Sequence, residues 1–296
     1  MEKLDQLLTE ARNPASENLD QLSTLDLLRT MHAADRDVLS AVDRELPNVA
    51  KAIDAIVARL DDGGRLFYTG AGTSGRLGVL DASECPPTYS TPPELVQGLI
   101  AGGDVALRCS VERAEDDASQ GQKDLEARGF SVKDVLVGIA ASGRTPYVLG
   151  GIDYARKLGA VTVGLSCVPE SQLAKRAEIA ITPVVGPEVV TGSTRMKAGT
   201  ATKLVLNMLS TGSLVRLGYV YGNLMVNVQP TNVKLRNRAA RIISTLTELP
   251  YEKAAALLDD AGSVKTAIVM QRLGISRTEA EERLARVKGR LRQALR

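Results

Sequence analysis

The chain has 296 residues, 44% apolar and 24% charged, with a formal net charge of +2. This is the composition of a folded protein with one large or two modest domains, and its charge favours neither a nucleic-acid nor a membrane partner. With no Trp, two Phe and one His, His32, the chain is poorly equipped for base stacking, for a Ser-His or Cys-His nucleophile pair and for a catalytic zinc site.

Cysteine usage and hydropathy predict a cytoplasmic protein. Cys85, Cys109 and Cys167 are odd in number and widely spaced, and no secretory leader pattern opens the sequence. The most apolar stretch, residues 204–215, contains Asn207 and several hydroxyl residues. It is too short and too polar to span a bilayer, so we expect a buried helix there.

Two helices are predicted before residue 61. Ser23 provides a capping-type start, after which apolar residues recur at helical spacing. Pro47 is expected to end the first helix, and a second should cover residues 49–60.

Short apolar runs alternate with helical patterns from residue 65 to about residue 183. This alternation predicts an α/β fold with a parallel sheet covered on both faces. Strands are predicted at 65–69, 95–100, 134–140, 161–166 and 178–182, and helices at 73–82, 107–127, 145–158 and 169–176. Binding sites in such sheets lie at the carboxyl ends of the strands.

The remaining sequence is predicted to be helical. A long helix is expected near 194–217, followed by helices at 233–246, 251–260, 264–273 and 277–294. The last part is basic, but its charges alternate in sign, which favours a solvated helical surface over a nucleic-acid site. We therefore expect an N-terminal helical segment (1–60), a sheet domain that includes the long helix (61–232) and a small C-terminal helical region (233–296).

A glycine-rich loop follows the first predicted strand. Residues 70–75 read GAGTSG and lead into a helix, so backbone amides, the helix dipole, Thr73 and Ser74 are all available to an anion. The spacing also matches a dinucleotide-binding pattern. However, the second predicted strand ends in Ile100-Ala101-Gly102-Gly103 without the acidic residue that such sites use, which argues against NAD or FAD.

A second loop of the same kind follows the strand at 134–140. It reads Ser142-Gly143-Arg144-Thr145, with Thr145 as the helix N-cap and Pro146 in the first turn. Two such loops at one sheet edge predict a site for a phosphate monoester. A third loop, over residues 186–197, adds Glu188, several hydroxyls and the cations Arg195 and Lys197.

Carboxylates suited to acid/base chemistry follow the first loop. Glu84 ends the run Asp81-Ala82-Ser83-Glu84 and precedes Cys85-Pro86-Pro87, an apolar setting in which we expect Glu84 to be buried. A second acidic cluster, over residues 112–117, is expected to begin a helix. Cys85 is a poor candidate nucleophile because nothing in its neighbourhood would lower its pKa.

Seven runs of the sequence carry a family resemblance. They are TEARNP (9–14), GAGTSGRLG (70–78), DASECPPT (81–88), GIAASGRTPY (138–147), GSTRMKAGT (192–200), NLMV (223–226) and TNVKL (231–235). Together they resemble the SIS (sugar isomerase) domain family and, within it, the N-acetylmuramic acid 6-phosphate etherases. The resemblance covers about residues 9–240. One departure is Asn227, where the family pattern has Asp.

The resemblance implies a fold and an activity. The fold is an SIS-type three-layer sandwich with a central five-stranded parallel sheet, N-terminal helices and a small C-terminal helical tail. The activity is cleavage of the D-lactyl ether of N-acetylmuramic acid 6-phosphate, in cell-wall amino-sugar recycling or catabolism. It requires neither a metal nor a cofactor. The family also implies that the protein binds a small sugar phosphate and forms a homodimer.

The resemblance also assigns roles to residues. Glu84 is implied as the acid that protonates departing lactate and then activates water, and Glu115 as the group that handles the C2 proton. The substrate and phosphate contacts are implied to be Gly72, Thr73, Ser74, Gly75, Ser83, Ser142, Gly143, Arg144, Thr145, Glu188, Ser193, Thr194 and Lys197.

Three alternatives remain open. A sugar-phosphate isomerase of the same fold would need one base and would not use a carboxylate pair. A non-catalytic sugar-phosphate sensor often carries a DNA-binding helical unit, but residues 1–60 are more acidic than basic. A protein-binding regulator that uses the C-terminal helices is the third.

Overall fold

A computed structural model describes residues 9–296, apart from the side chain of Glu112. Residues 1–8, where the predicted N-terminal helical segment starts, lie outside the described part. Five strands form one parallel sheet: β1 (Leu66–Gly70), β2 (Val96–Ile100), β3 (Val135–Ile139), β4 (Val161–Leu165) and β5 (Ile179–Ile181). Their order is β2-β1-β3-β4-β5, so the predicted α/β class and five-stranded sheet are confirmed.

Most of the predicted helices are present. The α-helices of the described chain are α1 (Thr24–Asp61), α2 (Gly72–Tyr89), α3 (Ala118–Ala127), α4 (Pro146–Lys157), α5 (Gln172–Arg176), α6 (Lys197–Arg216), α7 (Val233–Thr247), α8 (Tyr251–Ala261), α9 (Val264–Leu273), α10 (Arg277–Arg286) and α11 (Leu291–Ala294).

The sheet carries helices on both faces, as its uniformly apolar strands predict. Phe67 of β1 belongs to a buried cluster that includes Tyr147 and Ile152 of α4. The next residue, Tyr68, points to the opposite face, where its hydroxyl donates a hydrogen bond to Asp81 of α2 (2.9 Å). Side chains that alternate along β1 therefore join it to a helix on each side.

The predicted break at Pro47 is wrong, because α1 runs without interruption from Thr24 to Asp61. Pro47 lacks the N–H that would continue the backbone ladder. Val42 and Val49, on either side of it, are both buried. Burial of apolar side chains on both sides of the proline outweighs one missing backbone hydrogen bond.

Two other predicted helices are shorter than expected. The segment predicted as a helix at 107–127 begins with the end of a 3-10 helix, Gly103–Leu107, and a second one at Glu112–Asp116, and α3 starts only after Asp117 caps it. The predicted helix at 277–294 ends at Arg286, because Lys288 and Gly289 adopt left-handed backbone conformations (φ 52° and 70°). Helix α2, by contrast, continues past 82 through Pro86 and Pro87.

The chain forms two compact units. One comprises the residues up to Ser83 together with Glu94–Ser210, and it contains the sheet. The other comprises Glu84–Pro93 and Thr211–Arg296, and it has its own apolar core built from α7 to α11. The three-region division predicted from the sequence stays a prediction.

Candidate active site

The strand order predicts a binding crevice beside β1 and β3. The chain leaves β1 for β2 on one side, and β3 lies on the other side, so the direction of winding reverses between β1 and β3. In open parallel sheets, ligands bind outside the carboxyl ends of the strands at this reversal. Gly70 of β1 pairs with Ile139 of β3, so the loops that follow the two strands leave the sheet side by side.

The first loop packs backbone against backbone. A Cβ on Gly75 would lie 2.6 Å from the carbonyl oxygen of Gly70, so only glycine fits there. Helix α2 begins at Gly72, earlier than predicted, which places Thr73 and Ser74 in its first turn. Neither hydroxyl has a hydrogen-bond partner within residues 9–296, so both are available to a ligand.

The second loop turns through Gly143, whose φ is +65°. A Cβ at this position would also lie 2.2 Å from Ser171 Oγ, which explains the glycine. Thr145 is the N-cap of α4 and Pro146 follows it, as predicted, but the Thr145 side chain makes no capping hydrogen bond. In the described part of the chain the hydroxyls of Ser142 and Thr145 have no protein partner.

Arg144 adds an unsatisfied cation to the second loop. Its Nη1 atom is buried and has no hydrogen-bond partner among the described residues. Buried polar groups are nearly always hydrogen-bonded in native proteins, so this guanidinium nitrogen is available to an acceptor from a ligand.

The third loop stabilises the start of α6, a structural role that the sequence does not predict. Glu188 is almost fully buried, and its carboxylate accepts hydrogen bonds from the backbone N–H groups of Lys197 (2.9 Å) and Ala198 (3.0 Å). It therefore caps α6. The ammonium group of Lys197, also in a buried residue, donates to the carbonyl of Pro187 (3.3 Å). The expected substrate contacts of Glu188 and Lys197 stay predictions.

The first turn of α6 lies next to the first loop. A Cβ on Gly199 would be 3.6 Å from Cγ2 of Thr73. Ser193 and Thr194, in the turn that precedes α6, are both half-buried, and their hydroxyls make no hydrogen bond to the residues that the structure describes.

Cys167 is also buried, and this burial together with the charge of Glu188 raises the pKa of its thiol to about 12, so it is no nucleophile.

The two predicted catalytic carboxylates lie on short or interrupted helical segments. Glu84 lies on α2, two residues before Pro86. Glu115 lies in the 3-10 helix Glu112–Asp116, not at the start of an α-helix as predicted. The burial expected for Glu84 is not found: within the single chain both side chains are exposed. The hydroxyl of Ser83 donates to the carbonyl of Leu80 (2.8 Å), so it is already engaged by its own helix.

Asp81, for which the sequence predicts no role, is a buried hydrogen-bond acceptor in the structure. It accepts from Tyr68 Oη (2.9 Å), Asn207 Nδ2 (2.7 Å) and Ser210 Oγ (3.2 Å). The available signal was an acidic residue one helical turn before Glu84, matched by two polar residues in the apolar segment that forms α6.

Within residues 9–296, no group of three or more His, Cys, Asp or Glu side chains is placed to hold a metal ion. In the same range no helix is long and apolar enough to cross a bilayer.

Known proteins resemble the chain over its whole length. It is 56% identical to the N-acetylmuramic acid 6-phosphate etherase of Pasteurella multocida (strain Pm70) over 290 residues, which cover 98% of this chain and 96% of the relative. It is 54% identical to the protein of that name from Photorhabdus laumondii over 293 residues, which cover 99% of this chain and 97% of the relative.

Two further comparisons agree on the fold. The family described as the glucokinase regulatory protein N-terminal SIS domain matches residues 48–156. Among solved structures, a phosphoheptose isomerase from Francisella tularensis superposes with a TM-score of 0.51 at 20% identity, covering 64% of this chain and 97% of the isomerase.

Proposed function

Because the chain belongs to the N-acetylmuramic acid 6-phosphate etherase family, we propose that it cleaves the D-lactyl ether of N-acetylmuramic acid 6-phosphate. The products are N-acetylglucosamine 6-phosphate and D-lactate, which makes the protein a carbon–oxygen lyase. The observation that carries this proposal is the pair of hydroxyl-bearing loops at the carboxyl ends of β1 and β3.

The phosphate is bound by these two loops. Ser74, Ser142 and Thr145 offer hydroxyls that no group in the described chain already uses, and the amino ends of α2 and α4 offer backbone amides. Arg144 supplies a positive charge whose Nη1 atom lacks a partner. Hydrogen bonds to a charged acceptor are the strong ones, so the phosphate positions the sugar for reaction.

The reaction uses two carboxyl groups. In the ring-opened sugar the C2 hydrogen lies beside the aldehyde, and Glu115 removes it as a proton. The C3–oxygen bond then breaks, and Glu84 donates a proton to the departing lactate oxygen. The electron pair left at C2 forms the C2–C3 double bond. Each positioned acid or base contributes about 10²- to 10⁴-fold to the rate.

The second half of the reaction adds water. Glu84, now a carboxylate, takes a proton from a water molecule, whose oxygen bonds to C3. Glu115 returns a proton to C2, and the sugar product is complete. Because Glu84 is exposed in the single chain, we expect bound substrate and a second subunit to exclude water from it during the reaction.

We propose that the protein acts as a homodimer in the cytoplasm. Helix α1 supports the homodimer, because it exposes apolar side chains to solvent, including Leu25 (57%), Leu28 (53%) and Leu39 (67%). An exposed apolar stripe on a helix is typical of an interface. Three cysteines that form no disulfide with one another support a reducing compartment.

Release of D-lactate tests the function. Purified protein given N-acetylmuramic acid 6-phosphate should form D-lactate, measured by a D-lactate dehydrogenase assay, and an equal amount of N-acetylglucosamine 6-phosphate. Saturable binding of the sugar phosphate without lactate would instead indicate a sensor or an isomerase.

A further inference from the structure

Asp81 is a buried carboxylate that joins three secondary-structure elements. Asp81 lies on α2 and is only 6% exposed. The hydrogen bonds that it accepts come from Tyr68 on β1 and from Asn207 and Ser210 on α6, at 2.9, 2.7 and 3.2 Å. Asp81 therefore fixes the position and the rotation of α2 against a central strand and a long helix.

A carboxylate is a costly way to fill a buried position. Removing its charge from water is unfavourable unless donors replace the lost hydration, and an apolar side chain would avoid that cost. All three donors named here are uncharged groups with defined directions. Such an arrangement specifies geometry more than it adds stability.

The part of α2 that follows Asp81 cannot hold itself as firmly. Pro86 and Pro87 lie inside the helix, and neither has an N–H. The carbonyls of Ala82 and Ser83 therefore lose their hydrogen bonds within the helix. Glu84 lies in this weakened turn, three residues after Asp81 and thus on a neighbouring part of the helix surface.

We propose that Asp81 is a positioning residue for Glu84: by anchoring α2 one turn before the prolines, it holds the Glu84 carboxyl group where it can protonate the departing lactate. This inference rests on the proposed etherase function. Asp81 itself touches no reacting atom. Its loss should slow the step that Glu84 performs and spare the step that Glu115 performs.

The first test uses Asp81→Asn in D₂O with N-acetylmuramic acid 6-phosphate. Two rates are measured: deuterium incorporation at C2 of unreacted substrate, by NMR, and release of D-lactate. We expect lactate release to fall about 10- to 100-fold, the penalty typical of a small misplacement of a catalytic group. Exchange at C2 should fall much less, and KM should stay within about 3-fold.

A milder variant covers the case in which Asp81→Asn does not fold. Tyr68→Phe keeps the buried ring and removes the hydroxyl that donates to Asp81, so it should also raise the ratio of C2 exchange to lactate release. The matched control is Tyr147→Phe, which removes a similar bond, from Tyr147 Oη to Asp124 (2.6 Å), in the same unit but on the opposite face of the sheet from Asp81. Its ratio should equal that of the wild type.

The outcomes separate this inference from the function on which it rests. Wild-type protein that releases no lactate would contradict the etherase function and the inference with it. Wild-type protein that releases lactate, together with variants that lose exchange and lactate release in equal proportion, would contradict the positioning role alone. A ratio that rises in Tyr147→Phe as much as in Tyr68→Phe would also overturn it.

Discussion

Glu188 closes the amino end of α6 by accepting the backbone N–H of Lys197, at 2.9 Å from one carboxylate oxygen. Its other oxygen accepts the N–H of Ala198 at 3.0 Å. The first turn of α6, which lies beside Thr73, thus depends on a side chain nine residues earlier in the chain.

Glu188→Gln should therefore destabilise the fold. The glutamine amide has a single acceptor oxygen, so its NH₂ group would face one of the two backbone N–H groups and leave that group unpaired. We expect the free energy of unfolding, measured by urea denaturation, to fall by about 1 to 3 kcal/mol. Glu94→Gln, at an exposed position of the same unit, is the control. Unchanged stability with a raised KM would assign Glu188 to substrate binding instead.

Thr145→Val should weaken substrate binding at the second loop. Valine has almost the shape of threonine, and the Thr145 side chain makes no capping bond that the change would remove. Loss of one hydrogen bond to the phosphate should cost about 1.5 to 3 kcal/mol, or roughly 10- to 100-fold in kcat/KM. Thr245→Val, whose hydroxyl bonds only to the backbone of its own helix, should have normal kinetics. Normal kinetics in both variants would exclude Thr145 from the phosphate site.

Leu39→Glu should weaken the proposed homodimer. Leu39 is 67% exposed on α1, and a charge there would have to be buried in an interface formed by this helix. We expect the dimer dissociation constant, from light scattering over a dilution series, to rise about 10-fold or more. Ser40→Glu adds the same charge at a polar exposed neighbour and serves as the control. Equal dimer stability in the wild type and in Leu39→Glu would mean that α1 is not the interface.

Lys265 should make stability depend on pH. Burial lowers the pKa of its ammonium group to about 8, although Nζ donates to the carbonyls of Gly218 and Gly289 (3.0 and 2.6 Å). Between pH 8 and the ordinary lysine pKa, this lysine binds a larger share of a proton in the unfolded chain than in the folded one. The free energy of unfolding therefore rises with pH over this range.

The free energy of unfolding of the wild type and of Lys265→Met is measured by urea denaturation at pH 7.5 and pH 10. Between these two pH values the wild type should become more stable relative to the variant by about 1 to 2 kcal/mol, after allowance for partial solvent screening. A difference between the two proteins that does not change with pH would show that Lys265 titrates normally.

The sequence allowed the sheet and its two loops to be predicted because their signals are local. Gly70, Gly75 and Gly143 stand where backbone approach or a left-handed turn admits no side chain. The role of Glu188 could not be predicted in this way, because it depends on how the loop before α6 folds back. The continuity of α1 past Pro47 was missed for a related reason: burial of Val42 and Val49 is a tertiary effect.

The proposed catalytic residues show a different limit of prediction from sequence. Their identity comes from the family resemblance, whereas the exposure of Glu84 in the single chain could not be anticipated from its apolar neighbours in the sequence. Cys85, the adjacent residue, is buried, so the two point to different surroundings on the same helix. The anchoring of this helix by Asp81 likewise requires knowledge of which strand and helix surround it.

The most direct test of the account compares wild-type protein with Glu84→Gln in the D-lactate assay, using N-acetylmuramic acid 6-phosphate and its unphosphorylated sugar. We expect lactate from the phosphate ester and almost none from the unphosphorylated sugar, because phosphate binding positions the reacting carbon. Glu84→Gln should bind the phosphate ester, measured by calorimetry, but release lactate at least about 100-fold more slowly. Equal lactate release by the two proteins, or equal use of the two sugars, would contradict the account.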